Sequence, residues 1–428
     1  MRIPMNNIFY VVIFLATPGL LCAQEADYFL GPVRYSFINY DKNVFQLPEN
    51  DTTFQQLFFR FDSLVVFGKG NIQIVHLGGS HIQADMYTHV MRTRLQSLSL
   101  DMNGGRGLIF PYSMAHTNNP SNYSVRYTGN WEYCKNIQQN SGCTLGLTGM
   151  AVYTHDNLSR ITINPNTSDS TNYCFDKVRV FHEPTPYQLS AVVGNTNIPG
   201  YYDTLAGCTV FEYNEPARVF QLEIEKDSLY QDLGFALLGI ELIHNGPGLM
   251  YHALGVNGAM LSSFLRCELY EKHLKAINPG LVVISIGTND GYTRRFDEDK
   301  YKREYRELLT KTLEAVPDAA LLLTVPNDSY LYRRYANTNT EKMEKIILEL
   351  AREYNCAVWD FYEIMGGLNS AQTWYNMGLM RYDRIHFNKK GYRLKGELFF
   401  SAFLKAWEQH LNINTTKSIT KDKLSSEN

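Results

Sequence analysis

The sequence predicts an α/β fold: a five-stranded parallel sheet in a three-layer α/β/α arrangement, interrupted by an inserted β-sandwich. Two observations carry this. Five apolar strand-like runs alternate with helical periods in residues 54–100 and 249–409, and strands apolar at every position belong to sheets covered on both faces. Between them, residues 104–248 lose the helical period and break into short alternating runs punctuated by Asn, Asp, Gly and Pro, as the strands of a sandwich do. The organisation expected is a leader at 1–24, a first α/β part at 25–103, the β-insert at 104–248, a second α/β part at 249–411 and a disordered tail at 412–428.

In chain order, Phe54 to Val65 form a helix and Ile72 to Leu77 an apolar strand. Met86, Val90, Met91 and Leu95 then recur at helical spacing, which makes a βα unit with Ser80 at its turn. Within the insert, strands are expected at Gly149–Tyr153, Arg160–Ile163, Lys177–Phe181, Val210–Tyr213 and Val219–Ile224. The α/β rhythm returns with the strand Leu249–Leu254, a helix around Phe264–Leu274, the strand Leu281–Ile286, a helix ending near Val316 and the strand Ala320–Val325. Met343, Ile346, Ile347, Leu350, Ala351 and Tyr354 trace one face of the next helix. The strand Ala357–Tyr362 and a helix from about Lys390 to Gln409 complete the series. The tail after Asn412 is polar and lysine-rich, and too poor in apolar residues to bury.

A chain of 428 residues exceeds one ordinary core, so one large domain or two moderate ones is expected. A net charge of −3 excludes the electrostatic case for nucleic acid as the main partner. Met1 to Gln24 have the form of a secretory signal: Arg2, the apolar run Ile8–Leu21 and the small residue Ala23. The run falls short of the roughly 20 residues a membrane span needs, and Leu21 argues against lipidation at Cys22. Export to the periplasm or cell envelope, without a stable membrane span, is the expectation. An oxidising compartment would allow a Cys134–Cys143 loop and a Cys174–Cys208 bridge, or leave all of these cysteines as free small hydrophobes; no CxxC motif is present.

Four segments carry chemistry: Gly79-Ser80-His81, Gly255-Val256-Asn257-Gly258, Gly287-Thr288-Asn289-Asp290 and Asp383-Arg384-Ile385-His386. Three of them follow predicted strands, where open parallel sheets place their sites. A serine hydroxyl is a weak nucleophile and needs a base in reach, itself oriented by a third group. His386 with Asp383 three residues earlier suits that role toward Ser80. An oxyanion then needs donors, and the backbone N–H groups of Ser80 and Gly258 with the Asn289 side-chain amide supply three. Glycine at 258 would admit close backbone approach. Taken singly, each piece is a common turn or cap residue; the conjunction points to a serine esterase.

These segments resemble the four blocks of the SGNH (GDSL) hydrolase superfamily: Gly78-Gly79-Ser80-His81, Gly258, Gly287-Thr288-Asn289-Asp290 and Asp383-Arg384-Ile385-His386-Phe387. The resemblance covers residues 71–100 and 249–409 and implies an SGNH-like fold. It also implies Ser80 as nucleophile, Gly258 and Asn289 as oxyanion donors beside Ser80, His386 as base and Asp383 as its orienter. Gly79 stands where the family has Asp, so hydrogen bonding around Ser80 must differ, and the His81 side chain should diverge from the nucleophile and shape the turn. A β-domain between the Ser and Gly blocks is similar to the organisation of bacterial peptidoglycan O-acetylesterases, whose insert is a jelly roll like a carbohydrate-binding module. The strings GGSHIQAD and GVNGA support that comparison.

The resemblance, with the signal-like N-terminus, thus leads to the expectation of an exported, cofactor-independent serine esterase removing O-acetyl groups from a glycan, peptidoglycan first. Deacetylation of another polysaccharide and a catalytically silent glycan binder remain open. Trp131 is a candidate for stacking on a sugar, with packing as its ordinary alternative. Arg294 and Arg295 are candidates for binding an anionic group of the substrate, with a solvated basic loop as theirs. The histidines at 155, 182, 244 and 252 show no metal-ligand spacing, and serine chemistry needs no metal.

Overall fold

Valine, isoleucine and leucine fill a parallel sheet of five strands: β1 (Asn71–Gly78), β2 (Gly248–Gly255), β3 (Leu281–Ser285), β4 (Ala320–Thr324) and β5 (Ala357–Trp359). The computed structural model describes residues 34–426 apart from 50–51, 101, 140–141, 167–172, 195 and 228–232, with side chains described to residue 412. The expected leader at 1–24 and Cys22 lie outside the described residues. The spatial order is β2-β1-β3-β4-β5, a doubly wound arrangement whose switch point falls between β1 and β3.

Ten helices are described: α1 (Thr52–Phe67), α2 (Ser80–Gln83), α3 (Tyr87–Gln96), α4 (Leu261–Leu265), α5 (Tyr270–Ile277), α6 (Glu298–Ala315), α7 (Asn339–Glu353), α8 (Phe361–Met365), α9 (Ser370–Asn376) and α10 (Lys389–Ser426). Strand residues alternate between two buried cores. Val75, Leu77, Val282 and Ile284 join the core under α4 to α7. Ile72, Ile74, Leu281 and Val283 join the one under α1, α3 and α10. Both faces are therefore covered, which explains strands without polar alternation.

The insert consists of two antiparallel sheets. One runs Tyr201–Asp203, Cys208–Ala217, Phe175–His182, Phe235–Ile243, Met150–Thr154, Glu132–Lys135, with Gly107–Ile109 alongside Phe235–Ile243. The other runs Ser124–Tyr127, Leu158–Asn164, Phe220–Glu225, Gln188–Val193, Thr196–Pro199. Val178, Val180, Phe211 and Ile240 of the first share a core with Ile161, Ile163, Leu222 and Ile224 of the second. The chain enters and leaves the insert side by side, since Asn103 bridges Leu249 and the His244 N–H donates to the Gly104 carbonyl at 2.9 Å. The insert core continues into the α4–α7 core. The Phe181 ring lies 4.7 Å from that of His273 on α5, and Arg179 donates to the Ala276 carbonyl at 2.8 Å.

Several elements differ from the sequence expectation. The single helix around Phe264–Leu274 is two helices, α4 and α5, because the chain between them is tied to the insert. There the Arg266 guanidinium donates to the Asn136 carbonyl at 2.6 Å and the Leu269 N–H to that of Leu145 at 3.0 Å. The strand expected at Ala357–Tyr362 stops at Trp359, where Asp360 caps α8 by accepting the Glu363 N–H. Seven strands of the insert were not anticipated, among them Phe235–Ile243, which is apolar on nearly every position and lacks alternation. A disordered tail was expected at 412–428, whereas α10 continues through Ser426. No glycine or proline follows Gly396 to stop it. Cys134 and Cys143 are disulfide-bonded. Cys174 and Cys208 are both free, so the bridge the compartment would have allowed is not formed.

Candidate active site

The carboxyl ends of β1, β2 and β3 finish level, because Gly78 pairs with Gly255 on one side and Ser285 on the other. The loops bearing Ser80, Gly258 and Asn289 therefore leave the sheet at one edge, around the switch point. Ser80 is the first residue of α2, the short helix that follows Gly79. The Gly79 carbonyl accepts the N–H groups of Ile82 and Gln83 at 3.1 and 3.0 Å. Gly255 has to be glycine, since a Cβ there would sit 2.2 Å from the Gln83 nitrogen.

Ser80 Oγ lies 2.8 Å from His386 Nε2. His386 Nδ1 lies 2.9 Å from Asp383 Oδ2, while the N–H groups of Ile385 and His386 both donate to Asp383 Oδ1 at 2.9 Å. Burial pushes the Asp383 carboxyl up, but the His386 ring and these two backbone donors outweigh it and hold it well below the usual carboxylate range. An anionic Asp383 therefore fixes Nδ1 as the protonated nitrogen and leaves Nε2 free to accept the serine proton. Arg384, in the left-handed region at φ 52°, closes the turn that folds Asp383 back on His386.

Among the described residues, the backbone N–H groups of Ser80 and Gly258 donate to no other protein group. Asn289 spends one amide hydrogen on the Ala259 carbonyl at 2.9 Å, which orients the amide and leaves its second hydrogen available. Glycine at 258 also has a conformational reason. A Cβ there would meet nothing closer than Ile137 at 3.9 Å, whereas its φ of +85° is one that a side chain disfavours. Gly79 has a clearer steric role: a Cβ would stand 3.2 Å from Asn289 Nδ2, so any side chain at 79 crowds the amide.

The partners of three residues were invisible to the sequence reading, although His81 was expected to shape the turn. Gln83, buried one turn after Ser80, accepts the Asn257 N–H at 2.7 Å through Oε1 and donates to Thr117 Oγ1 at 3.0 Å and to the Asn118 carbonyl at 3.1 Å through Nε2. It joins the nucleophile turn, the Gly258 loop and the insert. Asp85 accepts from Arg92 at 2.8 Å, Arg106 at 2.6 Å and Asn122 at 2.7 Å, all buried. Burial alone would raise its carboxyl, and the two guanidiniums hold it well below the carboxylate range. His81 lies 2.9 Å from the Tyr392 hydroxyl through Nδ1, its ring 5.2 Å from that of His386. Burial keeps it well below the ordinary histidine range, so it backs the base as a neutral ring. The strings GGSHIQAD and GYR contain these residues, but nothing in their spacing announces a partner.

Among the other candidates, Trp131 lies in the insert, whereas Arg294 and Arg295 follow Asn289 on the loop that continues from the site. Trp131 donates from its indole to the Thr128 carbonyl at 2.9 Å and packs edge-on against Phe235. With Tyr127, Tyr153, His155 and Asp156 it lines a cavity of about 370 Å³ in the insert. Arg294 and Arg295 are exposed on the loop after Asn289, the Arg294 guanidinium 5.4 Å from the Tyr332 ring. Among the described residues, no group of three or more His, Cys, Asp or Glu is placed to hold a metal, and no helix is long and apolar enough to cross a membrane.

Residues 228–394 match the GDSL-like Lipase/Acylhydrolase family. No curated protein matches the chain. Among solved structures, one described as a peptidoglycan O-acetylesterase in action is 20% identical with a TM-score of 0.68, covering 87% of this chain and 98% of its own. A catalytic mutant of an acetylxylan esterase from Geobacillus stearothermophilus is 21% identical with a TM-score of 0.30, over 37% of this chain and 73% of its own. A Bacillus subtilis protein is 16% identical with a TM-score of 0.33, over 65% and 90%. The chain thus carries a GDSL-like acylhydrolase segment on an SGNH-type fold, and the first of these structures shares that fold across the insert as well.

Proposed function

We propose that the chain is an exported serine esterase that removes O-acetyl groups from a glycan, with peptidoglycan as the favoured substrate. The observation that carries this reading is the relay from Ser80 Oγ to His386 Nε2 at 2.8 Å and from His386 Nδ1 to Asp383 at 2.9 Å. In the first half-reaction Ser80 Oγ bonds to the acetyl carbon while His386 Nε2 takes its proton. The carbonyl oxygen becomes an oxyanion facing the N–H groups of Ser80 and Gly258 and the Asn289 amide. Collapse breaks the bond to the sugar oxygen, which receives the proton from His386, and leaves acetyl-Ser80. In the second half, water gives a proton to His386, attacks the acetyl carbon and releases acetate, and the proton returns to Ser80. The residues call for no metal and no cofactor in this sequence.

An acetylated glycan is supported by the fold shared with a peptidoglycan O-acetylesterase over both the sheet and the insert. Export to the periplasm or envelope rests on the composition of Met1–Gln24. The experiment is acetate release from acetylated peptidoglycan and from acetylated xylan, with a chromogenic acetyl ester alongside, for wild type and Ser80→Ala. Release by wild type from peptidoglycan above xylan, absent in the variant, is expected. Equal inactivity of both proteins on all three substrates would refute the enzyme.

A further inference from the structure

Beside the triad, three segments converge: the loop 289–295, the hairpin of Tyr330–Leu331 and Tyr335–Ala336, and the Arg381–His386 loop. They carry Arg294, Arg295, Arg333, Arg334, Arg381 and Arg384, and among the described residues no ion pair is formed by any of the six. Their only carboxylates are already engaged, Asp290 with the Leu261 N–H at 3.1 Å and Asp383 with His386. Six guanidiniums outside any ion pair, against two carboxylates, give these segments a local positive excess on a chain of net charge −3.

The face is built rigidly. Tyr332 and Arg333 occupy the hairpin tip at φ 52° and 60°, a left-handed pair that Asn-Gly adopts more readily. Such strain persists where the surroundings over-determine it, and here they do. The Tyr332 N–H donates to the Tyr292 hydroxyl at 3.0 Å, and Asn339 donates to the Gly291 and Thr293 carbonyls at 3.0 and 2.7 Å. Arg384 donates to the Arg333 carbonyl and to Gln372 at 2.6 Å, with its guanidinium 4.6 Å from the Tyr330 ring. The Arg381 N–H donates to the His386 carbonyl at 2.8 Å, so this face is one piece with the base. Tyr332, Tyr335 and Tyr382 remain 47, 55 and 64% exposed between the arginines.

Exposed aromatic faces suit sugar rings and bare guanidiniums suit carboxylates in bidentate contact. We infer that this arginine–tyrosine face binds the peptide-stem carboxylates of the peptidoglycan strand whose acetyl group is presented to Ser80. It would thereby select an acidic polymer over a neutral one, and the inference rests on the substrate proposed above.

The test uses the full chain with Ser80→Ala, so that binding is read without turnover. Co-sedimentation with peptidoglycan sacculi is measured before and after amidation of their carboxyl groups, and in the added Arg294→Gln/Arg333→Gln/Arg334→Gln background. Amidation and the arginine substitutions should each weaken binding at least tenfold, added salt should weaken it further, and the two effects should not add. The corresponding lysine substitutions should restore part of the binding, which separates lost charge from lost folding. Equal binding to native and amidated sacculi, equal binding by the substituted chain, or preferential binding of single-stranded DNA would overturn the inference. Absence of acetate release by wild type would instead remove the enzymatic reading while leaving a carboxylate-dependent binding difference intact.

Discussion

Gln83 Oε1 accepts the backbone N–H of Asn257 at 2.7 Å, so a residue three places after the nucleophile holds the residue immediately before the oxyanion glycine. The two loops arise on adjacent strands, and this bond sets their separation. Gln83→Leu should lower kcat on the order of 100-fold, the scale of a small misplacement of a catalytic group, with little change in KM. Gln83→Glu keeps the acceptor but sets a carboxylate oxygen against the Asn118 carbonyl, so it should recover only part of the loss. A fall in thermal stability with unchanged kcat would show that the bond is merely structural.

Ser80→Ala and Asp383→Asn test the relay. The first should abolish acetyl-serine formation, seen as loss of the acetylated species by mass spectrometry. The second retains shape but lets Nδ1 lose its fixed proton, and a loss of about 10⁴-fold in kcat is expected. Equal melting temperatures for the three proteins would confirm that chemistry rather than folding is affected.

Asn289→Ala removes a donor already oriented by Ala259. The expected loss is about 3–4 kcal/mol of transition-state stabilisation, or roughly 100- to 1,000-fold in kcat. Gly79→Ala, whose Cβ would lie 3.2 Å from the same amide nitrogen, should lower kcat in the same direction by less. If Asn289→Ala raised KM alone, the amide would be binding ground state instead.

Asp85 pairs with both buried Arg92 and Arg106. Asp85→Ala strands two guanidiniums in the interior, where breaking a buried pair typically loses about 3–5 kcal/mol. Denaturant unfolding should show that loss, and Asp85→Asn most of it, since the hydrogen bonds survive only in part.

Burial, the hydrogen bond with Asp360 and the charge of Asp360 push the Glu344 carboxyl up to about 8. Because the folded value exceeds the unfolded one, folding binds the proton more tightly. The associated stability is complete below the ordinary carboxylate range and is lost as pH rises through about 8. Glu344→Gln carries no proton to lose. The melting temperature of wild type should therefore fall relative to Glu344→Gln between pH 6 and 9; parallel curves would contradict the shift.

The parallel sheet and the residues of the relay were legible in the sequence for a common reason: both are local patterns. Apolar runs with turn residues mark β1 to β5, and a serine or asparagine immediately after such a run has one edge of the sheet to occupy. The insert was legible as β-rich, yet Phe235–Ile243 was missed. It is the central strand of its sheet, buried on both faces, so the alternation that marks a half-exposed strand is absent.

By itself, the sequence determined which side chains are candidates for the chemistry proposed here and in what order the elements follow, since periodicity and motif spacing are properties of neighbouring residues. What only the tertiary structure decided is distance between segments. It brought His386 to 2.8 Å from Ser80 across 306 residues, set Gln83 against Asn257, and brought together three segments that carry six arginines. It also added a positive φ to the reasons for glycine at 258. Such pairings depend on how layers pack and where loops end. Burial then decides what a buried carboxyl, imidazole or guanidinium can do, because a charge removed from water must find its partner in the fold.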